Sequence, residues 1–413
     1  MTARTERSGA LRSLAVRNYR LYGIGQLASL CGTWMQSVAI AWLVLDLSGG
    51  GAQVGMVTAF QFGPQLLLGG VAGVLVDRLD RRRALLGAEA VMATQATILA
   101  VIVLTDVAAL WMVYVLALIQ GLGNAMEQPA RQALLSELVG DEDLPNAISL
   151  NAALFTLSRV VGPAVAGVVI STAGTGVCFT INALSYGAII LAVLAMRADE
   201  LHHRPRVARA RGQLREALGM VGRTPAVRAL FLSGGALGLF GQSTFVVLPL
   251  LARYEFGGSA TTYGVMAAAT ALGGCVAAFG LASLSAPTDR RIMLAALLLG
   301  VSLAATALAP TLALALVALP FAGLFQLAQG VSTNAAVQLR TPPEMRGRVI
   351  ALYFSLTAGA QAAGAPLMGA VSEAFNPRWA LGLGAAVGFS TFLAWSRRAA
   401  RVTKELQLAA EPA

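Results

Sequence analysis

Long runs of apolar residues without charge dominate the pattern along the chain. A bilayer core about 30 Å thick is crossed by roughly 20 apolar helical residues. Uncharged runs of this kind lie at 21–45, 47–76, 107–126, 229–252, 256–288 and 349–372, with a shorter one at 379–396. The pattern therefore predicts membrane-spanning helices.

Two more runs of the same length carry one charged residue each. The run 84–105 contains Glu89, and the run 144–171 contains Arg159. A charged side chain in a span is costly in lipid, so we expect both to face the interior of a helix bundle or to reach its end. Because Glu89 lies close to the basic end of its span, we expect it to extend toward Arg81–Arg83.

The remaining runs are too long for one span. The run 292–339 would be about 72 Å long as a single helix, so we expect two spans that turn near Pro310. Likewise, 160–196 holds the end of one span and all of the next, with a turn at 171–176. The total is twelve spans.

Composition excludes several classes of protein. Hydrophobic residues make up 57% and charged residues 12%, whereas a soluble domain has about 25% charged residues. The two histidines are adjacent, at His202 and His203, and the three cysteines are far apart. A soluble enzyme, a histidine-based metal site and a disulfide framework are therefore not expected, and we predict no cofactor.

The basic residues predict an orientation. The chain has 30 lysines and arginines and a net charge of +10. All of the basic residues except Arg159, Arg253 and Arg378 fall on the face that holds both termini and the loops after even-numbered spans. By the positive-inside rule both termini are cytoplasmic. Anionic lipids, not nucleic acid, are then the expected partners of this charge.

A long polar segment divides the chain into two halves. We predict a six-helix bundle at 1–196, a basic cytoplasmic linker at 197–228, a second bundle at 229–396 and a cytoplasmic tail at 397–413. In the linker, Leu214, Ala217, Leu218 and Val221 share one helical face, which predicts a short helix at the membrane surface.

The two halves also repeat each other. When the sequence is aligned with itself at an offset of 202 residues, glycines coincide at three places: Gly121 with Gly323, Gly162 with Gly364, and Gly167 with Gly369. Glycines at helix interfaces allow close packing in membranes, so the same contacts are expected twice. The predicted fold is all-α, with twelve transmembrane helices in two pseudo-symmetric bundles, as in alternating-access transporters.

The loop between spans 2 and 3 carries a recognisable motif, Gly-Val-Leu-Val-Asp-Arg-Leu-Asp-Arg-Arg-Arg. It resembles the signature loop G-x-L-x-D-R-x-G-R-R of the major facilitator superfamily through Gly73, Leu75, Asp77, Arg78, Arg81 and Arg82. Asp80 replaces the second glycine, a variant that resembles the macrolide and siderophore exporter branch. The resemblance implies a cytoplasmic gate, in which Asp77 caps a helix and the arginines pair with carboxylates. The second-half counterpart, 280–291, is degenerate.

Span 5 carries a second resemblance. Gly162-Pro163 followed by Gly167 is similar to the antiporter motif of drug exporters, and glycine and proline there bend and pack the helix. Many proton-coupled antiporters have an arginine where this chain has Ala117. That departure removes one route of proton coupling.

Polar residues follow stripes on the spans that line the central cavity in the resembled family. Amides and hydroxyls predominate in these stripes, which suits a bulky, mostly apolar substrate. The predicted cavity residues are Gln26, Ser29, Thr33, Gln36, Gln120, Asn124, Phe240, Gln242, Gln326 and Gln329. Hydrogen bonding between helices without a ligand is the alternative for each of them.

Charged residues within spans are the candidates for coupling transport to protons. Glu127 lies four residues before Arg131, a spacing that favours an ion pair. We take Glu127 as the first candidate, with Arg131 beside it, and Glu89 and Arg159 as the others. A permanent salt bridge between Glu127 and Arg131 near the cytoplasmic end is the alternative. Arg159 is expected to bond carbonyls or a carboxylate in the bundle interior.

These observations predict a monomeric exporter in the inner (plasma) membrane. It would move a hydrophobic drug or natural product outward, driven by the proton gradient. An importer or lipid flipper on the same fold is one alternative, because fold does not determine substrate or direction. A membrane-embedded enzyme or sensor is the other, although no interior histidine, cysteine pair or carboxylate dyad and no large soluble domain supports it.

Overall fold

The computed structural model describes residues 11–202, 213–241, 244–282 and 288–410. Side chains are described for these residues except 69–78, 213–215, 282 and 399–410. The regular secondary structure of the described residues is helical, as the apolar runs predict. Its α-helices are α1 Arg17–Ser48, α2 Gly51–Arg78, α3 Arg81–Leu104, α4 Leu110–Leu138, α5 Leu144–Ala173, α6 Thr175–Leu194, α7 Gln213–Arg223, α8 Pro225–Phe240, α9 Thr244–Leu250, α10 Ala260–Ala282, α11 Asp289–Leu308, α12 Leu312–Leu339, α13 Arg346–Ala374 and α14 Pro377–Ala410.

Ten stretches of the described chain are long and apolar enough to cross a membrane. They are α1, α3, α4, α5, α6, the stretch 225–255 that contains α8 and α9, and α10, α11, α12 and α14. The helices α2 and α13 occupy the other two predicted positions without being among these ten. The structure therefore establishes a multi-span helical protein, and the count of twelve stays a prediction.

Both long apolar runs are divided where the sequence predicts. In the first, α11 ends at Leu308 and α12 begins at Leu312, with Thr311 accepting a hydrogen bond from the Leu314 backbone N–H. In the second, α5 and α6 are joined by Gly174, whose φ is +84°. That left-handed conformation is open to glycine without steric cost, so one residue is enough to reverse the chain.

The chain divides into two compact units. Helices α2 and α10 each contribute to both, and the limits 1–196 and 229–396 expected for the bundles stay a prediction. Unit 1 contains Met1–Ser48, Gly63–Arg209 and Ser259–Ala268; unit 2 contains Gly49–Phe62, Ala210–Gly258 and Ala269–Ala413.

A network of buried amides joins three helices of unit 1. Gln36 on α1 donates to Gln95 Oε1 on α3 at 3.0 Å. Asn182 on α6 donates to Gln36 Oε1 at 2.7 Å. All three side chains are almost completely buried. Since lipid provides no hydrophobic force between helices, such bonds help to fix which helices pack together and at what height.

Unit 2 includes the short helix α7, which the sequence places on the membrane surface. In the structure, Ala217 is buried in a cluster with Phe231 and Trp395. Glu216 on the same helix accepts a hydrogen bond from Arg348 of α13 at 2.6 Å. The side of α7 around Ala217 therefore packs against protein, while Leu218 is exposed.

Two of the three repeated glycine pairs make the equivalent contacts that the repeat predicts. A side chain at Gly162 would meet α1 at Trp34 Cβ, 2.6 Å away, and one at Gly364 would collide with the Leu239 carbonyl of α8. In the same way, Gly167 packs against α10 and Gly369 against α2. The close helix contacts are built twice, once in each unit.

Candidate functional site

The loop that resembles the family signature ends at the start of α3. Asp80 is the N-cap of that helix, and its carboxylate accepts a hydrogen bond from the Arg83 backbone N–H at 2.8 Å. Carboxylates stabilise helix N-termini in this way. Asp80, the residue that departs from the family pattern, therefore caps α3, and the capping expected of Asp77 stays a prediction. Gly73, Asp77 and Arg78 belong to the stretch 69–78, whose side chains lie outside the described part of the structure.

Two of the arginines of this loop, Arg81 and Arg82, bind neighbouring helices of unit 1. Arg81 pairs with Glu137, near the end of α4, at 2.7 Å. Arg82 donates to the carbonyls of Val193 and Leu194, at 3.1 and 2.9 Å, where α6 ends. The predicted pairing with a carboxylate thus holds for Arg81. Arg82 instead satisfies carbonyls at a helix C-terminus, which lack partners within the helix.

On the polar stripe of α1, Gln26, Ser29 and Gln36 are buried and Thr33 is half-buried, and these residues differ in how they are bonded. Gln36 belongs to the amide network, and the Thr33 hydroxyl lies 3.1 Å from the Tyr186 hydroxyl. Ser29 is buried, and its carbonyl accepts the Thr33 hydroxyl at 2.9 Å. Gln26 is buried with no hydrogen-bond partner for Oε1 among the described residues. Of this stripe, Gln26 keeps the most bonding capacity for a ligand.

The stripe of α4 contains an ion pair. Gln120 is buried and Asn124 is half-buried. One turn further, Glu127 Oε1 lies 2.8 Å from Arg131 Nε, with both side chains about one-tenth exposed. The i,i+4 pairing predicted from the spacing is therefore formed. A buried pair of this kind is stable only while both partners keep their charges.

Glu89 lies beside that ion pair. Its side chain is 1% exposed and interacts electrostatically with Glu127 and Arg131. The expectation that Glu89 extends toward Arg81–Arg83 is wrong, because its carboxylate is enclosed by the helices that pack around it. Depth along the helix does not indicate which neighbouring helix faces a side chain.

Arg159 on α5 packs against an aromatic ring. Its guanidinium carbon lies 5.2 Å from the centroid of Trp34 on α1, a cation–π geometry. Phe155, one turn earlier, contacts the same indole edge to face at 6.0 Å. The sequence indicates that Arg159 bonds oxygen atoms, and it does not indicate this aromatic partner.

The corresponding stripe in unit 2 is made of amides and hydroxyls on α12. Gln326 donates to the Gly241 carbonyl at 2.7 Å. One and two turns further along α12, Gln329 Oε1 and Thr333 Oγ1 are buried without a hydrogen-bond partner among the described residues. Phe240 at the end of α8 is half-buried, and Gln242 lies outside the described residues. Unit 2 thus offers unused polar atoms without a formal charge on this stripe.

Comparisons with known proteins identify the family of this helical chain. Residues 8–412 match the major facilitator family MFS_3, described as transmembrane secretion effector. The chain belongs to that family. It is a membrane transporter of the major facilitator superfamily, and its relatives include efflux proteins.

Two relatives of this transporter illustrate the similarity. The multidrug efflux pump Tap of Mycolicibacterium fortuitum is 29% identical over 84% of this chain and 87% of its own length. Macrolide efflux protein A of Streptococcus pyogenes is 26% identical over 86% and 88%. The crystal structure of a bacterial homologue of the lysosomal transporter Spinster, inward-facing and unoccupied, matches with a TM-score of 0.70 at 15% identity, covering 93% of this chain and 96% of that one. The last similarity shows the shared fold.

Sequence reasoning missed several polar residues of this transporter. Gln95 and Asn182 complete the network around Gln36, and Tyr186 bonds Thr33. Each is a single polar side chain in an apolar run rather than a member of a stripe. A search for isolated amides inside predicted spans finds Gln95 and Asn182, because an unbonded amide in lipid is costly.

Proposed function

We propose that this transporter exports a hydrophobic, drug-like or natural-product small molecule by alternating access, in exchange for protons. Efflux relatives support the outward direction, since Tap and macrolide efflux protein A share most of their length with this chain. The polar stripes support the substrate class. Their members are mainly amides and hydroxyls, which orient a bulky apolar molecule through a few hydrogen bonds.

The observation that carries the proton part of the proposal is the buried charge on α3 and α4. Glu127, Arg131 and Glu89 lie together in unit 1. An apolar substrate does not need such a group for binding, whereas a coupling mechanism needs a carboxyl group that changes protonation between conformations. Arg159 beside Trp34 is proposed to shape the substrate path, not to carry a proton, because a guanidinium does not release its proton in proteins.

The proposed topology is twelve spans in a plasma membrane with both termini in the cytoplasm. The loop Gly73, Asp77, Arg78, Arg81 and Arg82 then lies at the cytoplasmic gate, and the anionic lipid surface binds the basic loops. The protein acts as a monomer. Gly162, Pro163, Gly167, Gly364 and Gly369 pack the helices that move, and Pro163 and Gly162 are both buried.

Transport by purified protein in sealed lipid vesicles tests the proposal. Radiolabelled erythromycin and ethidium are the probes, and an imposed pH gradient is the driving force. We expect uphill accumulation that stops when a protonophore removes the gradient. A fluorescent phospholipid tested in parallel distinguishes the rival: transfer of the lipid between leaflets, with no accumulation of either drug, would instead indicate a flipper.

A further inference from the structure

Three charged side chains buried together in unit 1 do not balance in charge. Glu89, Glu127 and Arg131 are each at most 8% exposed. Arg131 Nε lies 2.8 Å from Glu127 Oε1, and Glu89 interacts electrostatically with both residues. The cluster therefore contains two carboxyl groups and one guanidinium group. If both carboxyl groups are ionised, the site carries a net negative charge away from water.

Glu89 is the carboxyl group whose bonding is incomplete. Its Oε2 atom is buried and has no hydrogen-bond partner among the described residues. An ionised carboxylate out of water is costly unless it is paired and hydrogen-bonded. Glu127, in contrast, lies at ion-pair distance from Arg131, and the positive charge of that guanidinium favours its ionised form. The two carboxyl groups therefore differ in which state this conformation favours.

We propose that Glu89 binds and releases the exchanged proton, while Glu127 and Arg131 remain a fixed ion pair. This rests on the proton exchange proposed above and assigns it to one residue. In the conformation described, Glu89 is neutral and holds the proton on its carboxyl group. When the helices around it open to water, the proton leaves to water and the carboxylate is solvated. The net charge of the three groups then changes from zero to minus one.

Other titratable groups around Glu89 do not perform this exchange. Tyr22 on α1 and Tyr186 on α6 interact electrostatically with Glu89, and Glu127 and Arg131 face it from α4. Phenols release protons near pH 10 and guanidinium groups above pH 12. Tyr186 and Tyr22 also bond neighbouring polar atoms, Thr33 at 3.1 Å and Asn151 at 3.4 Å. Of the described groups in this cluster, Glu89 is therefore the one to which we assign the change of charge.

Infrared spectroscopy of the full chain in lipid vesicles tests the assignment directly. A protonated carboxyl group has a C=O band that disappears when the group ionises. We expect the unaltered protein to show such a band, with loss as the pH rises, and Glu89→Gln to lack it. Glu127→Gln should keep a titrating band but shift its loss to lower pH, because Arg131 is then available to Glu89. The opposite assignment, a band lost in Glu127→Gln and kept in Glu89→Gln, overturns the proposal.

The control is Glu137→Gln, since Glu137 pairs with Arg81 outside the cluster. Its spectrum should keep the band unchanged. Glu89→Leu serves as a second neutral variant, and size-exclusion chromatography with circular dichroism checks the fold of each protein. Absence of a titrating band in the unaltered, folded protein also overturns the proposal, as does a band that responds to sodium at fixed pH.

Transport then links the titration to function. With radiolabelled erythromycin as the probe, Glu89→Gln should lose accumulation driven by the pH gradient and keep exchange of labelled for unlabelled drug. Full gradient-driven accumulation in Glu89→Gln overturns the assignment. If the unaltered protein shows no accumulation, proton-coupled export fails, and the infrared result still decides whether Glu89 titrates.

Discussion

The two units start their corresponding helices α3 and α11 in the same way but with opposite charges. In unit 1, Arg81 is the first residue of α3 and pairs with Glu137 near the end of α4. In unit 2, Asp289 is the first residue of α11 and pairs with Arg340, the C-cap of α12. The second-half loop, degenerate as a motif, thus keeps the ion pair and reverses it.

This reversal matters because helix ends carry partial charges. Anions at N-termini and cations at C-termini are each stabilised by about 0.3–1 kcal/mol. Both charges of Asp289–Arg340 lie at the favourable ends, and both charges of Arg81–Glu137 lie at the unfavourable ends. The unit 1 pair is also more buried, at 17% and 9% side-chain exposure against 29% and 45%. Unit 1 therefore depends on the attraction between its two side chains, whereas the helix dipoles also support unit 2.

The largest expected effect comes from breaking the two pairs. Glu137→Gln leaves Arg81 partly buried at a helix N-terminus and should lower the free energy of unfolding by about 2–3 kcal/mol. Asp289→Asn should cost at most about 1 kcal/mol, because that pair is more exposed. Thermal unfolding of the detergent-solubilised variants, followed by tryptophan fluorescence, measures both. Equal losses would show that burial does not distinguish the units.

The helix caps next to these pairs should give an intermediate effect. Asp80 accepts the Arg83 N–H at 2.8 Å, and Thr288 accepts the Arg291 N–H at 3.3 Å. Asp80→Ala should cost about 1 kcal/mol, while Asp80→Gly, which restores the family residue, should cost a few tenths. Thr288→Ala should cost less than Asp80→Ala, because its bond is longer. The same unfolding assay applies, and a larger loss for Thr288→Ala would contradict this order.

Exchanging the charges within each pair should give the smallest effect. Arg81→Glu with Glu137→Arg places both charges at favourable helix ends and should recover the stability of the unaltered protein or exceed it by about 0.5–1 kcal/mol. The matched exchange, Asp289→Arg with Arg340→Asp, should be destabilising by a similar amount. The difference should shrink at high salt, since salt screens the interaction of side-chain charges with helix dipoles. If both exchanges changed the free energy of unfolding in the same direction, local packing would outweigh the helix dipoles.

The sequence predicts the helices well because the length of an apolar run and the charged residues that separate one run from the next are local properties. Spacing alone predicts two of the turns, near Pro310 and at Gly174. It also predicts the pairing of Glu127 with Arg131. The repeated glycines Gly162 and Gly364 also pack as the repeat predicts. These features depend on residues that are close in the chain or on the repeat itself.

Contacts between distant helices are harder to predict. The sequence does not show that Trp34 meets Arg159, or that Arg82 reaches the end of α6. It places Glu89 near the basic loop because depth is known and rotation about the helix axis is not. The sequence also does not indicate that Asp80 caps α3, since the boundary between loop and helix is the least certain part of a predicted helix.

The amide network of unit 1 has a consequence for biosynthesis. Gln36 bonds Gln95, which is 59 residues later in the chain, and Asn182, which is 146 residues later. At translation rates of about 5–20 residues per second, α6 follows α3 by roughly ten seconds. During that interval Gln36 Oε1 on α1 lacks the hydrogen bond that Asn182 donates to it in the complete unit. The order of synthesis therefore makes α6 the helix that completes the amide network of Gln36, Gln95 and Asn182.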